Sequence, residues 1–309
     1  MSESRPHQPV LYKEIIHALQ PRSGMYYVDG TLGAAGHAWG ILEASSPDGR
    51  LLGMDVDPQA LQLARANLAP FGSRAIIIRA SYATLREQMD LLGWNKVDGI
   101  LLDLGLSSMQ LDTPERGFSF RSEAPLDMRF DPNNPVQAAD LVNSLPERDL
   151  ADLLYRYGEE RRSRQIARAI VKARPIRSTH ELASLVSSVK KGGRRNIHPA
   201  TQTFQALRIA VNQELDALES FLPQAVASLK PGGRLAIIAF HSLEDRIVKR
   251  FFRRESRDCI CPPRQPVCTC GHVAAIKEIE RRPIQPQEEE IQSNPRARSA
   301  RLRVAEKLD

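Results

Sequence analysis

Four short runs rich in valine, isoleucine and leucine recur in the first third of the chain: "MYYVDG" (25–30), "RLLGMDVD" (50–57), "RAIIIRA" (74–80) and "VDGILLDLG" (97–105). Between them lie stretches with apolar residues near helical spacing, such as Leu61, Leu63, Ala64 and Leu68 in "DPQALQLARANLA". A near-continuous apolar run suits a strand covered on both faces, and intervening helices supply the cover, so the pattern predicts a parallel α/β sheet. The alternation stops after Gly105, and residues 113–212 read as a loop followed by helices. It resumes at "KPGGRLAIIAFHS" (230–242), where a Pro-Gly-Gly turn feeds an apolar strand ending at His241, and "RARSARLRVAE" (296–306) suits a final strand. A sheet interrupted and then resumed predicts a discontinuous domain, 1–112 with 213–309, carrying an inserted helical domain at 113–212.

Within the insertion, Ser144 and Glu147 are spaced as a capping box opening a helix that Gly158 closes, and Ser178 with Glu181 as another. Pro199 suits a first helical residue, followed by an apolar stripe of Phe204, Leu207, Val211, Leu215 and Leu218. Ser242 and Asp245 are spaced to cap the helix "LEDRIVKRFF". The Pro- and Glu-containing tract 283–295 reads as loop.

The 309 residues, 42% of them hydrophobic, suffice for one large core or two smaller ones. The N-terminal stretch has no apolar signal core and no run reaches the ~18 apolar residues of a membrane span, so the expected location is the cytoplasm. The net charge of +6 has an informative address. Residues 113–212 hold 17 Lys+Arg against 11 Asp+Glu, which accounts for the whole excess. That segment presents either solvated helix faces or a polyanion-binding surface.

The first strand runs straight into "DGTLGAAGH" (29–37), with Gly30, Gly33 and Gly36 at every third position. A glycine loop there sits at the carboxyl edge of the sheet, where open α/β folds bind ligands. The spacing is not the G-x-G-x-x-G of dinucleotide sites, although Asp55 stands where a ribose-binding acid belongs. Asp29 discriminates. A carboxylate one residue before the loop opposes a pyrophosphate but suits an amino-acid ammonium, and S-adenosylmethionine carries both an adenosine and such an ammonium. Asp103 ends the fourth strand at the same edge, as a helix cap or as a group facing cofactor and substrate. Tyr82 follows the third strand, placed to stack on an adenine or to pack in the core.

The chain resembles the ribosomal RNA small subunit methyltransferase H family, also called MraW. The resemblance rests on "HQPVLYKEII", "DGTLGAAGHA", "DGILLDLGLSSMQLDTPERGFSF", "PLDMRFDP", "YGEERRSRQIARAIV", "HPATQTFQALRIAVNQEL", "FHSLEDRIVKRFF" and "NPRARSARLRVAE", spread from about residue 7 to 306. It implies a class I, Rossmann-like S-adenosylmethionine-dependent methyltransferase sheet with an inserted helical domain. The implied activity is N4-methylation of a cytidine of bacterial 16S rRNA near the decoding site, with the small ribosomal subunit as partner and no membrane. Carried over by motif, the cofactor site comprises Gly33, Ala35, Gly36, His37, Asp55, Tyr82, Asp103 and Gln110. Ala35 stands where the family commonly has glycine, which is tolerable if its φ is negative, and Tyr82 where phenylalanine is common.

For catalysis the expected residues are Asp103, as hydrogen-bond acceptor for the cytosine amine, and His241, which either touches the base or serves its turn. The (Ser/Asp/Asn)-Pro-Pro-aromatic motif of many amino methyltransferases is absent, since the chain reads "DLGLSS". Flanking phosphates fall to Arg161, Arg162, Arg164, Arg168, Lys190, Lys191, Arg194 and Arg195 of the insertion. The competing readings are a nicotinamide-dependent oxidoreductase, opposed by Asp29, and a noncatalytic RNA-binding assembly factor, opposed by the intact cofactor loop.

Cys259, Cys261, Cys268 and Cys270 form two Cys-x-Cys pairs inside "DCICPPRQPVCTCGH" (258–272), a tract many family members lack. Such pairs suit a structural zinc, with His272 as an alternate ligand, although their spacing is narrower than common zinc patterns. Free thiols or a disulfide are the other readings.

Overall fold

The computed structural model describes residues 9–190, 198–262, 265 and 267–309. Seven strands form one sheet: β1 (Tyr26–Asp29), β2 (Arg50–Asp55), β3 (Ala75–Arg79), β4 (Val97–Asp103), β5 (Leu229–Ala239), β6 (Ile276–Glu278) and β7 (Arg301–Lys307). Their spatial order is β3-β2-β1-β4-β5-β7-β6. All pairs from β3 to β5 are parallel, and β7 runs antiparallel between β5 and β6. The order reverses beside β1, whose neighbours are β2 and β4, and this switch point is where a doubly wound sheet opens a crevice at its carboxyl edge.

Alternation along the strands builds two cores. Val28, Leu52, Ile100, Leu102 and Ile237 point to one face, whereas Tyr27, Leu51, Leu101, Ala236 and Ile238 point to the other. Because both faces are covered, the central strands lose the apolar–polar alternation of a half-exposed sheet and read as solid runs. Edge strand β3 shows the contrast: its isoleucines are all only half-buried.

Helices α1 (Tyr12–Leu19), α2 (Gly36–Ala44), α3 (Pro58–Leu68) and α4 (Leu85–Leu91) belong to the sheet's own unit. That unit takes in the described residues up to Gly105 together with Leu215–Asp309, and the second is Leu106–Glu214. The second contains α5 (Ser108–Asp112), α6 (Ala138–Ser144), α7 (Glu147–Gly158), α8 (Ser163–Ala173), α9 (Thr179–Val189) and α10 (Thr201–Asn212). Its core is built from one stripe of each longer helix, including Leu150 and Leu154, Ile166 and Ile170, Leu182 and Val186, Phe204 and Leu207. Helix α11 (Glu214–Ser228) leads back to the sheet, followed by α12 (Ser242–Glu255) and α13 (Glu288–Ser293). No helix among the described residues is long and apolar enough to cross a membrane.

Several local expectations change. Ser144 does not cap α7: it ends α6, its hydroxyl donating to the Asp140 carbonyl, and Pro146 precedes α7 with no side-chain cap. Gly158 is the last residue of α7, and Glu159 takes the left-handed C-cap conformation (φ 50°). Gly158 is required for another reason, since a Cβ there would lie 2.5 Å from the Gln202 carbonyl oxygen where α7 meets α10. Ser178 does cap α9, accepting from the Glu181 amide at 3.2 Å. Pro199 lies in the turn before α10, two residues ahead of its start. The stripe that began at Phe204 breaks at Gln213, left-handed at φ 51°, so Leu218 joins the sheet's core instead. Lys230–Gly233 form a bulge inside β5, between the pairs Val97↔Leu229 and Gly99↔Arg234. The tract 283–295 includes α13, and the short strand β6 has no counterpart in the sequence reading.

Candidate functional site

The loop after β1 is fixed residue by residue. The Gly30 amide donates to the Leu101 carbonyl at 3.0 Å, extending the β1–β4 ladder by one bond. A Cβ on Gly30 would lie 2.6 Å from Leu102 Cδ1 and 3.0 Å from Tyr82 Cβ, so only glycine lets the chain pass between β4 and the segment after β3. The Leu32 amide then donates to the Met54 carbonyl (2.9 Å) and the Gly33 amide to Asp55 Oδ2 (2.8 Å), which folds the loop over the end of β2. Gly36 faces the Pro9 ring, which a Cβ would strike, and it opens α2.

Ala35 departs from expectation. Its φ is +68° and its ψ 27°, the left-handed region, where a Cβ costs about 1–2 kcal/mol. The negative φ that would have made alanine easy at this position is not what the loop adopts.

Three carboxylates converge on this edge from adjacent strands: Asp29 from β1, Asp55 from β2 and Asp103 from β4. Asp29 is buried, and its Oδ1 accepts from the Thr31 amide at 3.1 Å. Burial pushes its carboxyl up to about 7, with Asp103 and Asp55 adding to the rise and His37 and the Thr31 amide opposing it. Burial also raises Asp55, although both its oxygens accept backbone amides, Oδ1 from Asp57 (2.9 Å) and Oδ2 from Gly33. The Asp103 amide donates to Thr31 Oγ1 at 2.6 Å, tying the end of β4 to the loop.

His37, on the first turn of α2, is 5% exposed, and neither ring nitrogen has a hydrogen-bond partner; its Nε2 lies 3.6 Å from Asp103 Oδ2. Asp103 Oδ1 is likewise buried without a partner. Polar atoms are seldom left so, and a buried cluster of orphans beside a glycine loop is the signature of a site made for a polar ligand. Tyr82 sits in the short helical turn after β3, edge-on to Phe221 with centroids 5.5 Å apart.

Gln110 lies in the second unit, where it closes the capping box of α5: its amide donates to Ser107 Oγ (3.2 Å) and its Oε1 accepts from the Ser107 amide (3.1 Å). His241 likewise works as a cap. Strand β5 ends at Ala239, two residues earlier than expected, and His241 precedes α12 in place of the expected Ser242. Its Nδ1 accepts from the Glu244 amide (3.3 Å), Glu244 Oε2 accepts from the Phe240 and His241 amides, and its Nε2 lies 3.1 Å from Glu244 Oε1. Asp245, expected in the cap, instead pairs with Arg303 at 2.7 Å and Arg301 at 3.1 Å.

The insertion's cations divide. Lys190 is engaged with Glu160 (2.6 Å) and Gln202 (3.0 Å), and Arg162 donates to the Val189 carbonyl. Arg168 is exposed and 3.4 Å from Glu147, while Arg161 and Arg164 are exposed. Lys191, Arg194 and Arg195 lie outside the described residues. Thr31 is a site residue that sequence reasoning passed over, because nothing in "DGT" announces a hydroxyl that receives an amide 72 residues away. A hollow between α1 and α2, lined by Tyr12, Ile16, His17, Gly40 and Glu43, shares no residue with this edge. The convergent carboxylates, not that hollow, mark the site.

The sequence profile of the MraW methylase family matches residues 4–308. The chain belongs to that family. A ribosomal RNA small subunit methyltransferase H from Dehalococcoides mccartyi is 52% identical over 303 residues, covering 98% of this chain and 87% of the relative. The protein of that name from Thermomicrobium roseum is 51% identical over 308 residues (99% and 94%), and that from Geobacter sulfurreducens 52% over 307 (98% and 99%). Among solved structures, an rRNA methylase from Streptococcus thermophilus aligns over 96% of this chain and 94% of its own, with 12% identity and a TM-score of 0.43. TrmN from Thermus thermophilus aligns over 96% and 48%, with 15% identity and a TM-score of 0.44.

As a member of a methylase family, the chain takes S-adenosylmethionine as its methyl donor, and the edge fits it. The donor is cationic at its ammonium and sulfonium, and three carboxylates face this crevice where a pyrophosphate site would offer bared amides and no acid. The Gly33 amide, which a phosphate would need, is already given to Asp55.

Proposed function

We propose that this methylase transfers a methyl group from S-adenosylmethionine to N4 of a cytidine in 16S ribosomal RNA near the decoding site, acting within the small ribosomal subunit. The names of the relatives support ribosomal RNA as the substrate. The observation that carries the site is the set of buried atoms without hydrogen-bond partners, both ring nitrogens of His37 and Oδ1 of the half-buried Asp103, at the edge that also carries Asp29.

Asp29 would hold the ammonium of the donor and Asp55 its ribose diol, using lone pairs left free by the two backbone amides. Tyr82 would border the adenine, and Gly33, Ala35, Gly36 and His37 form the wall beneath it. Gln110 we keep as a cofactor contact on the family motif. The bound donor would supply an electrophilic methyl on its sulfonium, with the neutral thioether as leaving group once the methyl carbon is bonded to nitrogen.

The chain's task lies on the nucleophile. The lone pair of the cytosine amine is delocalised into the ring, and an acceptor for one N4 hydrogen favours the pyramidal nitrogen that can attack in line. Asp103 Oδ1 is that acceptor in our reading, and it takes the proton that the amine sheds once methylated. His37 Nε2 lies 3.6 Å from the other oxygen, without a hydrogen bond to it. His241 shapes the entrance of α12, with contact to the base as its second possible task. Because a cytosine within a duplex exposes neither face, the target is read from a loop or flipped out, with Arg161, Arg164 and Arg168 holding flanking phosphates.

The deciding experiment is methyl transfer to small subunits lacking the modification, followed by digestion and identification of the nucleoside. N4-methylcytidine is expected. Methylation at carbon 5, or on another base, would reject the chemistry assigned to Asp103, and no transfer to any small-subunit RNA would favour a noncatalytic assembly factor.

A further inference from the structure

We propose that Cys259, Cys261, Cys268 and Cys270 bind one zinc ion as a closed tetrathiolate that orders the connection from α12 to β6. In an extended segment residues two apart point the same way, so each Cys-x-Cys presents both sulfurs to one side. Here the sulfurs of the two pairs come together. All four sulfurs lie within 4.8 Å of one another, Cys268 and Cys270 at 3.6 Å and Cys270 and Cys259 at 3.9 Å. With zinc–sulfur bonds of about 2.3 Å, the edge of a regular tetrahedron is about 3.8 Å, so these separations are those of ligands around a common metal. They are far beyond the ~2.05 Å of a disulfide, and all four cysteines are free.

The backbone around the sulfurs is arranged for thiolates. The amides of Ile260 and His272 point at Cys270 Sγ and that of Thr269 at Cys261 Sγ, each at 3.5 Å. Sulfur is a weak acceptor as a thiol and a better one as a thiolate, so three amides aimed at two sulfurs favour the charged form. Binding a dication displaces the thiol protons and leaves the centre with a formal charge of −2. Exposed Arg253 and Arg257 of the adjoining segment lie close in sequence to partly offset it.

The side chains close enough to share one ion are the four cysteines without His272, whose Nε2 lies 3.1 Å from the Arg254 carbonyl oxygen. That contact anchors the loop to the end of α12, with two more: the Ala275 amide donates to the Glu255 carbonyl (2.8 Å) and the Ala274 amide to Asp258 Oδ1 (3.3 Å). Four sulfurs with no position left for water make a structural centre rather than a catalytic one, and the soft tetrahedral set selects zinc or iron over harder cations.

The test uses the full chain, expressed in ordinary medium and purified under reducing conditions without added metal. Elemental analysis is expected to give about one zinc per chain, with all four thiols slow to react with a chromogenic disulfide until a strong chelator is added. The double variant Cys261→Ser with Cys270→Ser should lose about nine-tenths of that zinc, and cobalt added to metal-free protein should give the visible bands of tetrahedral thiolate ligation. Four freely reacting thiols after incubation with equimolar zinc would overturn the proposal. So would stoichiometric iron, or two disulfides detected by mass spectrometry in the purified protein.

Discussion

The carboxyl edge of the sheet and the basic helical insertion treat their charges in opposite ways. At the edge, Asp29 and His37 are drawn out of water, Asp103 is half-buried, and atoms of His37 and Asp103 are left without hydrogen-bond partners. In the insertion the buried charges are paired within the unit, Lys190 to Glu160 and Arg208 to Glu214 at 2.7 Å, while the unneutralised cations lie in water. The difference separates two kinds of recognition. A small cationic cofactor is held by a few desolvated groups whose strength comes from exclusion of water, whereas a polyanion is held by many exposed cations whose strength comes from counterion release. It also shows why the net charge of the insertion overstates its binding surface: several of its cations are structural.

The sharpest way to break this comparison is at Asp103. Substitution by Asn keeps shape and one acceptor oxygen, and substitution by Ala removes both. Single-turnover transfer at saturating cofactor should fall from wild type to Asn to Ala, the last by ~10²-fold or more. If both variants lose only cofactor affinity, Asp103 belongs with Asp29 as a binding group, and His241 becomes the next candidate for the amine.

A second break is at Asp29, whose carboxyl is held near 7 by burial. A raised acid binds its proton more tightly folded than unfolded, so it lowers folding stability as pH climbs from the ordinary aspartate range to about 7. A cationic ligand prefers the ionised form. Cofactor affinity should therefore rise by roughly tenfold per pH unit below about 7 and level off above it, with a proton released on binding at the lower pH. Calorimetry in buffers of different ionisation enthalpy reads that proton. A flat profile in the wild type, or the same profile in Asp29→Asn, would remove the ammonium from this carboxylate.

On the insertion the expected effect is smaller and of another kind. Replacing Arg161 and Arg164 together by Ala should weaken RNA binding with a salt slope reduced by roughly one to two units, while cofactor affinity stays put. An unchanged slope would move the RNA surface off α8 and its approach.

The smallest effect concerns Ala35. Glycine there relieves about 1–2 kcal/mol of left-handed strain, but it forfeits the burial of one methyl group, about 0.8 kcal/mol, and adds about 0.4–1 kcal/mol of unfolded-state freedom. The sum is near zero, so Ala35→Gly should change stability in denaturant by less than about 0.5 kcal/mol. Ala35→Val, branched and buried, should cost about 2 kcal/mol or more. A glycine variant destabilised by more than about 1 kcal/mol would contradict the left-handed backbone.

What the sequence determined by itself is what local pattern can carry. Solid apolar runs between helical stretches predicted the central strands, because a strand buried on both faces has no reason to alternate. The glycines at 30, 33 and 36, followed by acids at 55 and 103, marked the carboxyl edge, since a loop that must pass close to other backbone writes its need in missing side chains. What only the tertiary structure decided depends on partners distant in the chain. That Lys190 is held by Glu160, that Thr31 receives the Asp103 amide, and that Ala35 is left-handed cannot be read from neighbours in sequence. The same limit explains the caps. Ser144 and Ser242 have the right residue types at the right spacing, but the positions of α6 and β5 set where each next helix begins, and the cap falls to whichever residue stands there. The cysteines show both sides at once: their spacing declared that two pairs exist, and only the fold of the chain brought all four sulfurs within 4.8 Å of one another.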